Sequence, residues 1–274
     1  MKASAKTDRR FQSDAGKYAA YLETPEGRLR LDLTFANLQE FLPVQPFPNS
    51  LCALDLGSGT GAGAVRLARL GVHVTMLDSS LAMLDIAKRA ALEGGVSEQV
   101  TLRHSDATEL SSLFNAGSFD VILCHNILEY IDNPGAVLRG AARVMRSPSA
   151  ILSVLVRSQA GEVLKAALQT GDVTAAEGAL TAHWGEDSLY RGKVRLFTLD
   201  GLEAMLTEAS LTVVAQRGVR VAADYLPSHV SRTAAYERIF ALESKLGKRR
   251  EFAAVARYSH WLARCITPLW ERDK

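Results

Sequence analysis

"ALDLGSGTGAGAVRLARLGVHVTMLD", residues 53–78, is the stretch that decides the fold. It opens on a short apolar run containing Asp55 and ending at Leu56. Gly57, Gly59 and Gly61 then alternate with Ser58 and Thr60, a helical pattern runs to Gly71, and a second apolar run closes on Asp78. Strand, glycine loop, helix, strand and terminal acid is how a doubly wound sheet holds a nucleotide-like ligand at the carboxyl ends of its strands.

The spacing of Gly57, Gly59 and Ala62 satisfies the dinucleotide pattern, with Asp78 in the place of the ribose-binding acid. Two features argue against a dinucleotide. Asp55 stands two residues before Gly57, where its carboxylate would face a pyrophosphate, and like charges repel at short range. A ligand with an ammonium group suits it better. The crowded glycines also let the backbone approach a compact ligand closely.

Working outward, helical patterns over 7–21 and 26–42 precede this stretch and are closed by "LPVQPFPNS". Downstream, a helix capped at Ser79 or Ser80, strands in "QVTLRHSDA" and "SFDVILCHNI", a helix opening at Pro134 and a strand in "SAILSVLVR" follow in alternation. Short loops between strands and helices mean parallel strands covered on both faces, an α/β fold. The pattern then changes. Residues 158–190 read as two short alanine-rich helices. "TLDGLEAMLTEAS" is a helix capped by Thr198, and "LTVVAQRGVRVAADYL" has the alternation of a strand. "TAAYERIFALESKLG" and "EFAAVA" are helical, and "RYSHWLARCI" is a last strand.

With 274 residues, 47% of them hydrophobic, the chain can fill one large core. No apolar run reaches the ~18 residues that span a bilayer, and the basic "MKASAKTDRR" leads into no apolar segment, so neither membrane nor secretory signal is expected. Cys52, Cys124 and Cys265 are odd in number and far apart. They read as reduced core thiols of a cytoplasmic protein, with no metal site. Charge is unevenly spread: residues 1–187 hold 17 Lys and Arg against 21 Asp and Glu, and the remainder 15 against 9. A basic last third suits a polyanionic substrate, and equally suits ordinary solvated helix faces.

"LDLGSGTG", Asp78, "SDA" and "FDVILCHNILEYI" occur in this order between residues 50 and 156, and there the chain resembles class I S-adenosylmethionine-dependent methyltransferases. The resemblance implies a Rossmann-like, mostly parallel seven-stranded sheet with S-adenosylmethionine as cofactor. It places Gly57, Ser58, Gly59 and Gly61 along the methionine part, and Asp55 in the same loop. Asp78 would take both ribose hydroxyls, and Asp106 and Ala107 would lie by the adenine. Asp78 has a plainer reading too, as an acid before the helix that begins in "SSLAML".

Beyond the core, "TPEGRLR", "HNILEYIDNP", "RGVRVAADYL" and "YERIFALES…RYSHWLAR" resemble the bacterial tRNA 5-carboxymethoxyuridine methyltransferases, from about residue 11 to 264. That family esterifies the carboxylate of a modified wobble uridine. It implies one domain over 1–274: a helical cover (1–49), the cofactor core (50–156), a helical insertion (157–197) and the C-terminal half of the sheet (198–264). "YSHWLAR" would lie antiparallel beside "VVAQRGVRVA". Arg30 and His125 would touch the cofactor.

A carboxylate acceptor is ionised at neutral pH and needs no base; it needs cations and hydroxyls to place it. Arg220, Tyr225, Arg257, Tyr258 and His260 supply both types and are the expected substrate residues, although Arg220 and Arg257 read as well as intramolecular ion-pair arginines. His125 reads as well as a hydrogen-bonded core histidine, and Arg30 as an exposed helix charge. One departure bears on tRNA. The family's insertion carries a dense lysine run, whereas "HWGEDSLYRGKVRLF" has only Arg191, Lys193 and Arg195, with Glu186 and Asp187 beside them. Fewer cations mean fewer phosphate contacts, which keeps a small-molecule acceptor open.

Overall fold

A computed structural model describes residues 11–44, 50–187, 189–227 and 235–265. Helices α1 (Ala15–Leu22) and α2 (Pro25–Gln39) lead into β1 (Cys52–Leu56), α3 (Ala62–Ala68), β2 (His73–Asp78), α4 (Leu81–Glu93), β3 (Val100–His104) and β4 (Val121–His125). Then come α5 (Pro134–Val144), β5 (Ile151–Arg157), α6 (Gln159–Leu164), α7 (Val173–Ala179), β6 (Trp184–Asp187) and β7 (Gly192–Arg195). The chain continues through α8 (Leu199–Glu208), β8 (Leu211–Val219), α9 (Tyr236–Gly247) and β9 (Tyr258–Cys265). The expected helix start over 7–10 and residues 45–49 of the breaker lie outside the described residues.

Local chemistry sets most of these starts. Thr24 Oγ1 accepts from Gly27 N at 3.1 Å with Pro25 as the first helical residue, and Ser80 Oγ accepts from Met83 N at 3.2 Å. Asn133 and Thr198 cap α5 and α8 in the same way. Each cap satisfies an amide that a helix start leaves without an intrahelical partner.

The seven-stranded sheet has the order β3-β2-β1-β4-β5-β9-β8, parallel except for β9, which runs antiparallel to both neighbours. Alternate residues of each strand feed opposite layers. Leu54, Leu56, Ile122, Cys124, Leu152 and Val154 belong to a core with residues of α5 and α8. Ala53, Val74, Met76, Leu123 and Ile151 belong to a second, with α3, α4 and Leu38 of α2. Both faces are covered, as near-continuous apolar strands require. The last strand lies beside β8 in the antiparallel sense, as expected. The region after β5 differs from expectation: two short helices are followed by the antiparallel β6–β7 hairpin, which begins within 158–190 and ends beyond it, and whose four-residue strands are too short for alternation to show.

This topology gathers the chemistry on one edge. The strand order reverses between β1 and β4, opening a crevice beyond their carboxyl ends. Asp78, His125 and Arg157 end β2, β4 and β5. Because β9 is antiparallel, its first residue, Tyr258, pairs with Arg157 on one side and Val219 on the other, so Tyr258 and Arg220 reach the same edge.

Candidate active site

A cavity of about 610 Å³ opens along that edge, large enough for a nucleoside-sized ligand and part of a second one. Gly57, Gly59, Asp78, Asp106 and Ala107 line one end; Arg157, Arg220, Arg257 and Tyr258 line the other; Arg30, His125 and Tyr21 lie on its wall.

The first end is held mainly by backbone. Gly57 has φ +62°, and an added Cβ would sit 2.6 Å from Ile127 Cδ1, so the turn admits only glycine. Gly61, at φ 76°, is the cap of α3. Asp78 is buried. Its Oδ2 accepts from Gly59 N and its Oδ1 from Ser80 N, both at 2.8 Å, which ties the loop to the start of α4. The plainer reading, an acid before the helix that follows, describes these bonds, and the same residue lines the cavity. Asp106 Oδ1 accepts from Thr108 N at 2.8 Å and fixes the loop after β3, with Ala107 against the cavity. Asp55 corrects an expectation. It does not line this cavity but sits beneath the glycine turn, on a side pocket of about 50 Å³ shared with Ser58, Arg30 and His125. Burial, then the charge of Asp78, push its carboxyl up to about 8, against which the Ala64 amide pulls it down.

Arg30 is not an exposed helix charge: it is buried, and its guanidinium stands 5.7, 5.0 and 5.4 Å from the rings of Tyr18, Tyr21 and Tyr258. Its Nη2 donates to Tyr18 Oη at 3.0 Å. His125 lines the cavity while its Nε2 meets Ser153 Oγ at 2.8 Å, so it is at once a satisfied histidine and a wall residue. Burial, then Arg30, bring its imidazole down to about 3, and it is neutral at physiological pH.

Four arginines surround Tyr258. Burial pushes the phenol up, but Arg30, Arg220, Arg157 and Arg257 together outweigh burial and hold it below its ordinary value. Two of the four are also the ion-pair arginines of the alternative reading: Arg220 pairs with Asp224 and donates to Tyr21 Oη at 2.9 Å, and Arg257 pairs with Glu162. Among the described residues, neither Arg30 nor Arg157 makes a salt bridge to a carboxylate. Arg220 holds a left-handed φ of 61°, as does Asn126 at 53° beside His125. Such non-glycine conformations cluster where the surroundings fix a side chain for use.

Two expected substrate residues lie elsewhere. His260 is fully buried between Ser153 and Asn37, because it lies two residues into β9, inside the sheet, while Tyr258 takes the strand's first position at the edge. Tyr225 does not line the cavity; its hydroxyl donates to Gly161 O at 3.4 Å. Sequence reasoning also missed wall residues. Arg157 carried a signal, as the last residue of a parallel strand. Tyr21 and Glu129 carried none. Glu129 is buried and its Oε1 accepts from Asn126 Nδ2 and Arg157 N, both at 2.9 Å, tying the ends of β4 and β5 together.

Residues 54–152 match the family model described as a methyltransferase domain. The fold is that of the class I methyltransferases, and the chain is an S-adenosylmethionine-dependent methyltransferase. Over 265 residues it is 29% identical to the tRNA 5-carboxymethoxyuridine methyltransferase of Escherichia coli (strain K12), covering 94% of this chain and 96% of that protein. It is 32% identical over 126 residues to a ubiquinone biosynthesis O-methyltransferase of Xanthomonas axonopodis pv. citri, covering 46% of this chain and 52% of that one. The magnesium protoporphyrin IX methyltransferase of Synechocystis PCC 6803, solved with bound S-adenosylhomocysteine, superposes with a TM-score of 0.63 at 14% identity, covering 96% and 99% of the two chains.

The residues present fit S-adenosylmethionine. The glycine turn leaves no side chain in the way, and Asp78 is anchored as a carboxylate at the cavity. Ser58 and Gly61, expected at the cofactor, do not line the cavity: Ser58 lies on the side pocket with Asp55, and Gly61 caps the start of α3. Among the described residues no group of His, Cys, Asp and Glu could hold a metal, and no helix is long and apolar enough to cross a membrane.

Proposed function

We propose that this methyltransferase acts on a carboxylate, and that the carboxylate is the 5-carboxymethoxy arm of a modified wobble uridine in tRNA, in the cytoplasm. The observation that carries the reading is the arginine end of the cavity. Four guanidiniums converge there and, among the described residues, two of them form salt bridges with carboxylates and two do not, so the chamber favours an anion. The likeness to the Escherichia coli enzyme covers 94% of this chain, and so extends beyond the glycine-loop core.

When bound, S-adenosylmethionine supplies a methyl group on a positively charged sulfur, and a carboxylate oxygen that takes it becomes a methyl ester. The protein's part is to bind, orient and exclude. Arg157 and Arg30 hold the acceptor at the arginine end, and Tyr258 and Tyr21 keep those guanidiniums in place. Asp78 and the loop fix the other ligand, so that the two meet in line; alignment of this kind is a large part of catalysis. No side chain has to remove a proton.

A small-molecule acid is the second reading, favoured by the hairpin. Its cations are Arg191, Lys193 and Arg195, and Arg195 is already stacked on Trp184 at 4.8 Å. The deciding test incubates the protein with methyl-labelled S-adenosylmethionine and tRNA with or without the carboxymethoxy modification. Label entering only the modified tRNA, and released by mild base, is the expected result. Label in neither pool, with cofactor still bound, moves the acceptor to a small molecule.

A further inference from the structure

A row of four polar side chains runs from α2 through the sheet to the cavity. Asn37 Nδ2 lies 3.3 Å from His260 Nδ1, His260 Nε2 lies 2.7 Å from Ser153 Oγ, and Ser153 Oγ lies 2.8 Å from His125 Nε2. Ser153 and His260 are fully buried and Asn37 nearly so. The two imidazoles meet edge to face, 5.7 Å apart. Polar groups buried this deeply are retained only when each finds a partner, and three of these four touch no ligand.

The row has one consistent direction. An amide nitrogen only donates, so His260 Nδ1 accepts. Burial, with His125 and Arg217 nearby, holds His260 neutral, and a neutral imidazole whose Nδ1 accepts carries its proton on Nε2. Ser153 Oγ receives that proton's hydrogen bond and gives its own single O–H to His125 Nε2. His125 therefore carries its ring proton on Nδ1.

We propose that Asn37, His260 and Ser153 are positioning residues that fix His125 as a hydrogen-bond donor toward the cavity, and thereby select a methyl acceptor that arrives already ionised. A histidine locked in this tautomer has its one lone pair occupied by Ser153 and cannot take a proton from a hydroxyl acceptor. A carboxylate gives up no proton and gains a donor. The direction of the row rests on Asn37 presenting its amide nitrogen to His260; the selection of an ionised acceptor rests on the carboxylate reading above.

Long-range proton–nitrogen spectra of the full chain, labelled with 15N-histidine and bound to S-adenosylhomocysteine, read the tautomers directly. We expect two histidines that do not titrate between pH 5 and 8, one protonated on Nδ1 (lost in H125Q) and one on Nε2 (lost in H260Q). Asn37→Asp replaces the donor by an acceptor and reverses every bond in the row. His125 then moves to the Nε2–H form, and kcat falls about tenfold while the cofactor dissociation constant stays within about threefold. If that buried charge prevents folding, Ser153→Ala cuts the row instead; His125 loses its fixed tautomer and kcat falls about fivefold, the worth of roughly one hydrogen bond, with KM little changed. An Nε2–H His125 in the unmodified protein, or an Nδ1–H signal that survives both variants, overturns the proposal. An Nδ1–H His125 together with a hydroxyl acceptor in the labelling assay overturns the selection, and the carboxylate reading with it, while leaving the row's direction intact.

Discussion

The two ends of the cavity are made by different means. The glycine-loop end comes from a single run of chain, β1 to the loop after β3, and its key contacts are backbone amides on Asp78. The arginine end draws on α2, the end of β5, the residue after β8 and the start of β9, and its contacts are side chains: Arg220 with Asp224 and Tyr21, Arg257 with Glu162, Arg30 with Tyr18. One end exists once β1, β2 and β3 have paired. The other exists only once the sheet has closed. The difference teaches that the glycine-loop end is built by local geometry and the arginine end by long-range assembly.

If the division is real, variants at the two ends fail differently. The largest effect is expected at Asp78. Asp78→Asn puts a donor against one of the two amides that the carboxylate now accepts from, and weakens a diol contact as well. Two charge-assisted hydrogen bonds at roughly 1.5 kcal/mol each give about a 100-fold rise in the S-adenosylhomocysteine dissociation constant. Calorimetry measures it; binding within threefold of the parent would break the assignment.

Arg157→Met comes next and should separate the ends. It removes a guanidinium with no salt-bridge partner among the described residues, so kcat/KM for the acceptor drops about 10- to 100-fold, one charged hydrogen bond's worth. Cofactor affinity should stay unchanged. Arg257→Gln sharpens the contrast, because Glu162 already neutralises that arginine; a fall of only about threefold is expected in the same assay. Equal losses at Arg157 and Arg257 would show that ion pairing within the protein does not set how strongly each arginine engages the acceptor.

What could be read beforehand follows the same division. Strands 1 to 5, the helix caps at Ser80 and Thr198, and the Asp78 loop were legible because each is specified by residues within a few positions of one another. The arginine end was legible only as residue types. Tyr258 and His260 are two apart on β9, so both point to the same face by strand alternation. Yet Tyr258 is at the strand's first position, on the sheet edge, and His260 lies deeper, against Ser153 of β5. Nothing local distinguishes an edge position from an interior one until the register with β5 is known. The same ignorance of register hid Ser153, which reads from sequence as one polar residue in an apolar strand.

Asp55 lies between these cases, and its effect falls on stability and depends on pH. It belongs to the glycine motif, yet the fold tucks it under the turn beside Asp78, where its carboxyl titrates at about 8 against an ordinary 3.8. A folded value above the unfolded one means the group's contribution to stability is full below pH 3.8 and is lost as pH rises through 8. Asp55→Asn removes that dependence. The ligand-free variant should therefore match the parent near pH 4 and melt higher at pH 8 to 9, by about 2–4 °C for each kcal/mol recovered. S-adenosylmethionine, which carries an ammonium, should narrow the gap, because a cation near the side pocket favours the ionised carboxyl. S-adenosylmethionine lacking its amino group should not. A gap that is the same at both pH values would mean Asp55 stays ionised under the turn, and that the loop tolerates its charge without help from a ligand.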